Sequence, residues 1–365
     1  MINQYRFQNI DILRGLLMVI MAIDHSFLFI YKTHYSESWN ELIPNYGSIP
    51  IFFTRWISNI CAPGFALLMG MSMSFSLTNK GRNINGYNII LFFIKRGFVL
   101  IILQQLLDLP VILFNLDTLD SWPLFRGGIL YALGVSLIFS SLFINVKPFV
   151  NICIGVGVVF INYFITSIFL TNSTNNTSLN LFFVPGVDNW ISVNYPALPW
   201  IGIAIIGLGF GKTILEKDQN SNLYYLKAGI IFLLIFVVLR YVNYGDYNHK
   251  NLEGIINYLA VIKYPPSIAF IILNIGLLSF LFWIISKFEN SKYLQLLIVF
   301  GQSSLFFYFA HIYTFILLSQ FVSNSLPLTM MYLLWLVGLL LLFPLCKYYL
   351  KFKSRQSKTS IRRYF

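Results

Sequence analysis

Ten apolar runs, each close to the length of a helix that crosses a bilayer, are the feature that most constrains this chain. A bilayer core takes about 20 apolar residues per helix. The runs cover residues 10–31, 52–77, 89–107, 127–145, 149–170, 198–215, 226–242, 267–286, 296–321 and 327–350. Only 10% of the residues are charged, against roughly 25% in soluble domains. We therefore predict an all-α, polytopic transmembrane bundle of about ten helices, formed by one domain over residues 1–350.

The distribution of basic residues between the loops predicts the orientation of the bundle. Cytoplasmic loops carry an excess of Lys and Arg, and here one alternating set of loops is clearly the more basic. That set holds Lys80, Arg82, Lys147, Lys212, Lys217, Lys287, Lys292 and the tail over residues 351–365. Both termini are therefore predicted to be cytoplasmic, in a plasma or cell inner membrane.

The net charge of +12 does not indicate a nucleic-acid partner. Seven of the 25 basic residues lie between Lys347 and Arg363, and such a cluster beside a last helix is typical of an anchor on anionic membrane lipid. The cysteines Cys61, Cys153 and Cys346 are far apart and have neither disulfide nor metal spacing. We predict no metal cofactor, and we leave open whether the chain forms a homodimer.

The first predicted helix carries ionisable residues where a lipid-facing helix would carry none. At about 100° per residue, Asp11, Arg14 and His25 fall within roughly 60° of one another, and His25 lies about 21 Å along the axis from Asp11. Such groups normally face a bundle interior or a wet cavity. A neutral imidazole can serve as a general base. Asp24 points about 100° away from His25 and would orient a different partner; the alternative is a structural ion pair of Asp11 or Asp24 with a distant Arg.

A second polar stripe lies on the predicted helix over residues 296–321. Gly301, Ser304, Tyr308 and His311 follow one another at i, i+3, i+7 and i+10, which places them on one helix face. His311 is predicted to lie at the same depth as His25, so the two can share a cavity. The alternative is that these side chains only bond helices to one another.

Polar residues near the start of the second helix form a third group. Arg55 could bind a phosphate or carboxylate, or it could extend to the membrane interface beside Trp56. Pro63 and Gly64 predict a kink. Ala62, Ala66 and Gly70, spaced by four, would let another helix approach closely.

Aromatic and polar residues at the predicted outer ends of the helices form a fourth group. Such aromatics either belong to the interfacial belt or stack on sugar rings. The group includes His34, Trp39, Asn40, Arg126, Trp200 and Lys263.

Several of these phrases together resemble a known family. The opening Asp11-Ile-Leu-Arg14-Gly15, with His25 fourteen positions later, resembles membrane acyltransferases of the acyltransferase-three type. The wider set is similar to the heparan-alpha-glucosaminide N-acetyltransferase catalytic-domain family of bacterial membrane proteins. The phrases that carry this second resemblance are Phe53-Thr-Arg55-Trp56, Cys61-Ala-Pro63, Leu198-Pro199-Trp200-Ile-Gly202, Lys263-Tyr264-Pro265-Pro266-Ser267, and Phe300-Gly301 with Phe307-Tyr308 and His311.

The resemblance implies an acyltransferase that takes an acyl group, acetyl in the characterised relatives, from cytoplasmic acyl-CoA to a sugar or glycan on the outer side. It implies that basic groups on the inner side hold the CoA phosphates; the residues predicted for this donor site are Arg14, Asp11, Lys95 and Arg96. The acyltransferase-three pattern points to His25 as the active histidine. The lysosomal relatives place theirs shortly before a Ser-Trp-Asn, which favours His34, although His34 lies two residues further upstream of Ser38 than that pattern has it.

The predicted site therefore has three parts, and the first is the donor site described above. The predicted catalytic residues are His25, His34, Asp24 and His311. The predicted acceptor-binding residues are Arg55, Trp39, Asn40, Arg126, Trp200, Lys263 and Tyr308. The alternative function is a transporter or exporter of a glycan, a lipid-linked sugar or a small anion, since charges within the membrane also mark transport paths. Transporters often show two related halves, and no such repeat is visible here.

Overall fold

The computed structural model describes residues 2–33, 35, 37–39, 44–79, 86–107, 123–171, 177–187, 190–216, 221–248, 254–322 and 326–356. The helices of this part are α1 (Ile2–Phe29), α2 (Ile49–Ile57), α3 (Cys61–Asn79), α4 (Gly86–Leu107), α5 (Ile129–Ser141), α6 (Pro148–Thr171), α7 (Thr177–Phe182), α8 (Ala197–Glu216), α9 (Ser221–Tyr241), α10 (Ile255–Leu259), α11 (Ile268–Lys287), α12 (Lys292–Gln302), α13 (Ser304–Ser319) and α14 (Leu328–Ser354). The strands are β1 (Phe125–Gly127), β2 (Gly186–Val187) and β3 (Ile191–Val193).

The prediction of an all-α polytopic bundle is confirmed. In the described part of the chain, eight helices are long and apolar enough to cross a membrane. The bent pair α12 and α13, counted as one broken span, brings this number to nine, and α5 is an apolar helix of 13 residues. The run over residues 127–145 was therefore predicted too long, because the chain turns after Ser141.

Two spans that we predicted as single helices are interrupted. The segment over residues 296–321 divides at Ser303, where α12 and α13 meet at an angle of 87°. Gly301 is therefore not on the same helix as Tyr308 and His311, and the predicted four-residue face is wrong at that residue. The remaining members, Ser304, Tyr308 and His311, do share α13.

The second interruption lies earlier than we predicted. A 3₁₀ turn over Ser58–Ile60 separates α2 from α3, whereas the sequence indicated a kink at Pro63 and Gly64. Pro63 instead lies in the first turn of α3, where its missing N–H costs no helix hydrogen bond. The chain can therefore keep α3 regular through this proline.

Helices α1, α3, α8 and α11 form the centre of the bundle, whereas α9 and α14 lie at its edge. In the spans that contain α3 and α8, 72% of the residues are buried, against 17% for α9 and α14. Close helix contact explains the centre, since a Cβ at Gly70 would lie 1.9 Å from the Ala204 carbonyl oxygen. The small-residue spacing on α3 thus predicted a real helix contact.

The strands form a small sheet of order β1-β3-β2 in the loops that join the helices. β1 runs parallel to β3, with Phe125 opposite Ile191, and β2 runs antiparallel to β3. The side chain of Gln105 on α4 bonds both backbone groups of Arg126, at 2.9 and 3.0 Å. The sheet thereby ties the ends of α4 and α5 to the loop before α8.

Candidate active site

Two histidines predicted to share a depth in the membrane are in direct contact. His25 on α1 and His311 on α13 are joined through His25 Nδ1 and His311 Nε2, which lie 2.6 Å apart. His311 Nδ1 lies 2.9 Å from the Phe307 carbonyl oxygen, and a carbonyl can only accept, so His311 carries its proton on Nδ1. A neutral imidazole that donates at Nδ1 accepts at Nε2. His25 therefore donates from Nδ1 to His311.

This chain of hydrogen bonds fixes which nitrogen of His25 is available for chemistry. With its proton on Nδ1, His25 keeps the lone pair of Nε2 for another molecule. His311 is fully buried, whereas His25 is half-buried. The pair therefore consists of a buried orienting ring and a more accessible ring with a basic nitrogen.

Charged residues beside the pair neutralise one another. Arg55 lies in α2 and its guanidinium forms an ion pair with Asp24, the residue before His25. Its other terminal nitrogen lies 3.3 Å from the carboxylate of Glu37. Arg55 is only 6% exposed, so it does not extend to the interface, and its terminal nitrogens are occupied by protein carboxylates. The ion-pair alternative for Asp24 is therefore the one observed.

Glu37 was not singled out in the sequence and proves to be a central residue. It is buried, and its backbone carbonyl accepts hydrogen bonds from the N–H groups of Lys263 and Tyr264, at 3.0 and 3.3 Å. Burial and the nearby Glu37 carboxylate raise the pKa of Tyr46. An acidic residue between His34 and Ser38, in a chain with only 13 acidic residues, was the available signal.

The loop after α10 brings Lys263 close to Asp24 and Arg55. Lys263 is buried, and its ammonium lies 5.4 Å from the ring centre of Tyr264. The Tyr264 hydroxyl lies 3.0 Å from the hydroxyl of Tyr195. Burial, and after it the neighbouring Tyr264, raise the pKa of Tyr195 well above its usual value. The Tyr195 phenol therefore stays a neutral hydrogen-bonding group next to the Tyr264 hydroxyl.

An ion pair behind this loop holds it in place. The Arg240 guanidinium bonds Asp246 at 2.7 Å and the carbonyl oxygens of Asn257, Tyr258 and Ala260 at 2.8 to 3.0 Å. The other oxygen of Asp246 accepts the Ser267 hydroxyl at 2.6 Å. Both ends of the segment that carries Lys263 and Tyr264 are thereby fixed.

Eleven residues before His25, near the middle of α1, Arg14 lies at the wall of a cavity of about 280 Å³. Its guanidinium bonds Asp11 at 2.8 Å and the Ser72 hydroxyl at 2.7 Å. Asp11 in turn accepts from Gln302 at 3.1 Å. The Asp11–Arg14 pair thus connects α1 to α3 and to the end of α12.

The lining of this cavity suits a molecule with a phosphate at one end. Arg14, Arg96 and Lys353 line it, and its described lining contains no acidic residue. The break between α12 and α13 also lies on its wall, from Gly301 to Phe306. Non-helical backbone at membrane depth is tolerated where it lines a water-filled cavity, and a helix N-terminus beside basic side chains favours an anion. Lys95 is exposed and is not among the lining residues.

Tyr308 connects this cavity to the histidine pair. It lines the cavity, and its ring centre lies 5.6 Å from that of His311. Along α1, Arg14 and His25 are separated by eleven residues, about 16 Å at the helical rise. A long molecule anchored at Arg14 and passing Tyr308 would therefore reach the pair.

The other predicted acceptor residues are placed less favourably. Trp200 is fully buried at the start of α8, with its ring centre 5.7 Å from that of Tyr195, so its ring is covered by protein in this structure. Trp39 is half-buried, and its backbone bonds Tyr264 at 3.1 Å. His34 and Asn40 lie outside the described residues.

The comparison with protein families gives one match. Residues 6–240 match the model of the family described as heparan-alpha-glucosaminide N-acetyltransferase, catalytic. None of the curated proteins matches the chain. The matched segment contains α1 to α9, and with them Arg14, His25 and Arg55; His311 lies beyond it.

Proposed function

Because this chain belongs to the heparan-alpha-glucosaminide N-acetyltransferase catalytic family, a family of membrane acetyltransferases, we propose that it transfers an acetyl group from acetyl-CoA to a sugar. The donor enters from the cytoplasmic side, and the acceptor is an amine or hydroxyl of a sugar or glycan on the outer side. The observation that carries the proposal is the pair of His25 and His311, which lies next to the end of the basic cavity that Tyr308 lines.

The basic cavity accounts for the donor. CoA carries phosphates at one end and a thioester at the other, joined by a long flexible arm. Arg14, Arg96 and the first backbone N–H groups of α13 bind the phosphates. The arm runs along the apolar wall formed by Met18, Phe65 and Leu133, and the thioester then lies near Tyr308.

His25 supplies the base for the transfer. Its Nε2 lone pair removes the proton from the acceptor N–H or O–H as the acceptor nitrogen or oxygen attacks the thioester carbonyl carbon. The carbon–sulfur bond breaks, the new C–N or C–O bond forms, and the CoA thiolate takes the proton from His25 Nε2. His311 keeps accepting from His25 Nδ1 throughout, so Nε2 remains directed at the acceptor.

The outer polar residues account for the acceptor. Lys263, Tyr264 and Tyr195 offer an ammonium and two phenol hydroxyls near Asp24. Such groups hydrogen-bond the hydroxyls of a sugar ring. The paired charges of Asp24, Arg55 and Glu37 fix the geometry of this wall instead of binding the acceptor themselves.

The test uses purified protein with radiolabelled acetyl-CoA, with glucosamine as the amine acceptor and methyl glucoside as the hydroxyl acceptor. Wild type is expected to release labelled product, and His25→Ala to lose transfer while retaining CoA binding by calorimetry. An active His25→Ala enzyme removes His25 from the mechanism and leaves His34→Ala as the decisive variant. Label held covalently by the wild type without acceptor would mean transfer through an acyl-histidine. The absence of both CoA binding and labelling would favour a transporter.

A further inference from the structure

A second cavity, of about 400 Å³, lies between α9 and the centre of the bundle. Its walls come from α1, α3, α8, α9 and α11, and most of its lining is aliphatic or aromatic, such as Leu68, Phe210 and Phe282. Among the described lining residues, Lys227 is the one charged side chain. A cavity of this size and lining fits a largely apolar ligand with one anionic group.

This cavity opens sideways toward the membrane. Tyr224 and Ile231 line it, yet each is 55% exposed, so the space between them connects to the surface of α9. That surface faces lipid, because α9 is an apolar span at the edge of the bundle. This opening gives a ligand a route into the cavity from the hydrocarbon.

The packing of α9 explains why the space exists. α9 contacts α11 closely through Gly229, where an added Cβ would lie 3.2 Å from the Gly276 carbonyl oxygen. α8 lines the opposite side of the cavity through Phe210 and Ile214. α9 therefore packs closely against α11 on one side, and a space that can hold a ligand remains between α9 and α8.

We propose that this cavity holds an acyl chain of an anionic phospholipid from the cytoplasmic leaflet, with the lipid phosphate at Lys227. Lys227 lies in the second turn of α9, at the end that the basic loops assign to the cytoplasm. A lysine at this depth attracts anionic headgroups. Tyr224, one helical turn away, places an amphipathic ring at the same level.

The site is separate from the acetyl-transfer site. Leu13 lines the lipid cavity, and His25 lies twelve residues further along α1, about 18 Å away. Arg14, the next residue after Leu13, lines the donor cavity. The two cavities therefore lie on different faces of α1, and the lipid proposal stands whether or not the chain transfers acetyl groups.

The test is native mass spectrometry of the detergent-purified protein with added dioleoyl phosphatidylglycerol or dioleoyl phosphatidylcholine. Wild type is expected to retain one phosphatidylglycerol about fivefold better than phosphatidylcholine, the effect of one lysine near an anionic lipid. Lys227→Ala is expected to abolish that preference. Lys287→Ala, a charge-matched variant at an exposed residue that does not line the cavity, is expected to keep it.

Two variants test the cavity itself. Ser279→Phe and Ala228→Phe fill it from α11 and from α9, and each is expected to lose retention of both lipids. Ile230→Phe, at an exposed residue of α9 outside the cavity, is the matched control. Elution volume and helical circular dichroism identify any variant that misfolds. Wild-type retention in both filled variants would overturn the proposal, as would equal retention of the two lipids by the wild type.

Discussion

The hydrogen bond between His25 and His311 leads to a quantitative prediction for His311→Phe. Phenylalanine keeps the aromatic volume of a fully buried residue but removes the acceptor for His25 Nδ1–H. An unsatisfied buried donor costs about 1–3 kcal/mol, and His25 avoids this cost by moving its proton to Nε2. The tautomer with a free Nε2 lone pair then becomes about 5- to 150-fold rarer. We expect kcat/KM for acetyl transfer to fall by that factor.

The series around this variant separates tautomer control from packing. His311→Gln restores a side-chain acceptor and is expected to recover activity to within about tenfold of wild type. His25→Ala removes the base itself and is expected to lose about 10²- to 10⁴-fold. Thr314→Val is the matched control, because its hydroxyl bonds only its own helix, at Ala310. Transfer of radiolabel from acetyl-CoA to glucosamine is the assay.

The reasoning is refuted by either of two results. If His311→Phe is as active as Thr314→Val, His311 does not set the tautomer of His25. If His311→Gln is as inactive as His311→Phe while both elute as folded protein, the role of His311 depends on its ring and not on an acceptor atom.

Three further predictions concern the ion pairs and one close helix contact. Arg14→Ala leaves Asp11 beside the donor cavity and is expected to raise the Kd for CoA, measured by calorimetry, by about 10- to 100-fold. Asp24→Ala leaves the buried Arg55 guanidinium with Glu37 as its remaining carboxylate partner and should lower the free energy of unfolding in detergent by about 1–3 kcal/mol. Gly301→Ala places a Cβ 1.9 Å from the Asp11 carbonyl oxygen and should lower the unfolding temperature.

The sequence predicted the helices well because membrane thickness sets both their length and their composition. The contact of His25 with His311 could also be predicted, because the predicted topology gave both residues a similar depth in the membrane. Close packing at Gly70 followed from the spacing of small residues on one helix face. Each of these inferences needs only the periodicity of a helix and the depth of a residue.

The ion-pair partners and the helix breaks could not be predicted in this way. Arg55 could pair with any carboxylate at its depth, and only the packing of α2 against α1 selects Asp24. The bend at Ser303 has no proline to mark it. Trp200 lies at a predicted helix mouth, but the loop carrying Tyr195 covers it. These features depend on which elements pack against one another. The sequence pattern of a single helix does not contain that information.

The positions of the two breaks support the assignment of the site. An interrupted span in a membrane leaves backbone groups without helix partners, and such groups are tolerated only inside protein or beside a wet cavity. The bend at Ser303 lies at the basic cavity. The 3₁₀ turn over Ser58–Ile60, whose Ser58 N–H still bonds the Arg55 and Trp56 carbonyl oxygens, directly follows α2, which carries Arg55 to Asp24. One break therefore adjoins Arg14 of α1 and the other adjoins Asp24, the residue before His25. A continuous α12–α13 helix would bring the N–H groups beside Arg14 into helix hydrogen bonds, and without the 87° bend it would also move His311 away from His25. The break therefore positions both the basic cavity and the histidine pair.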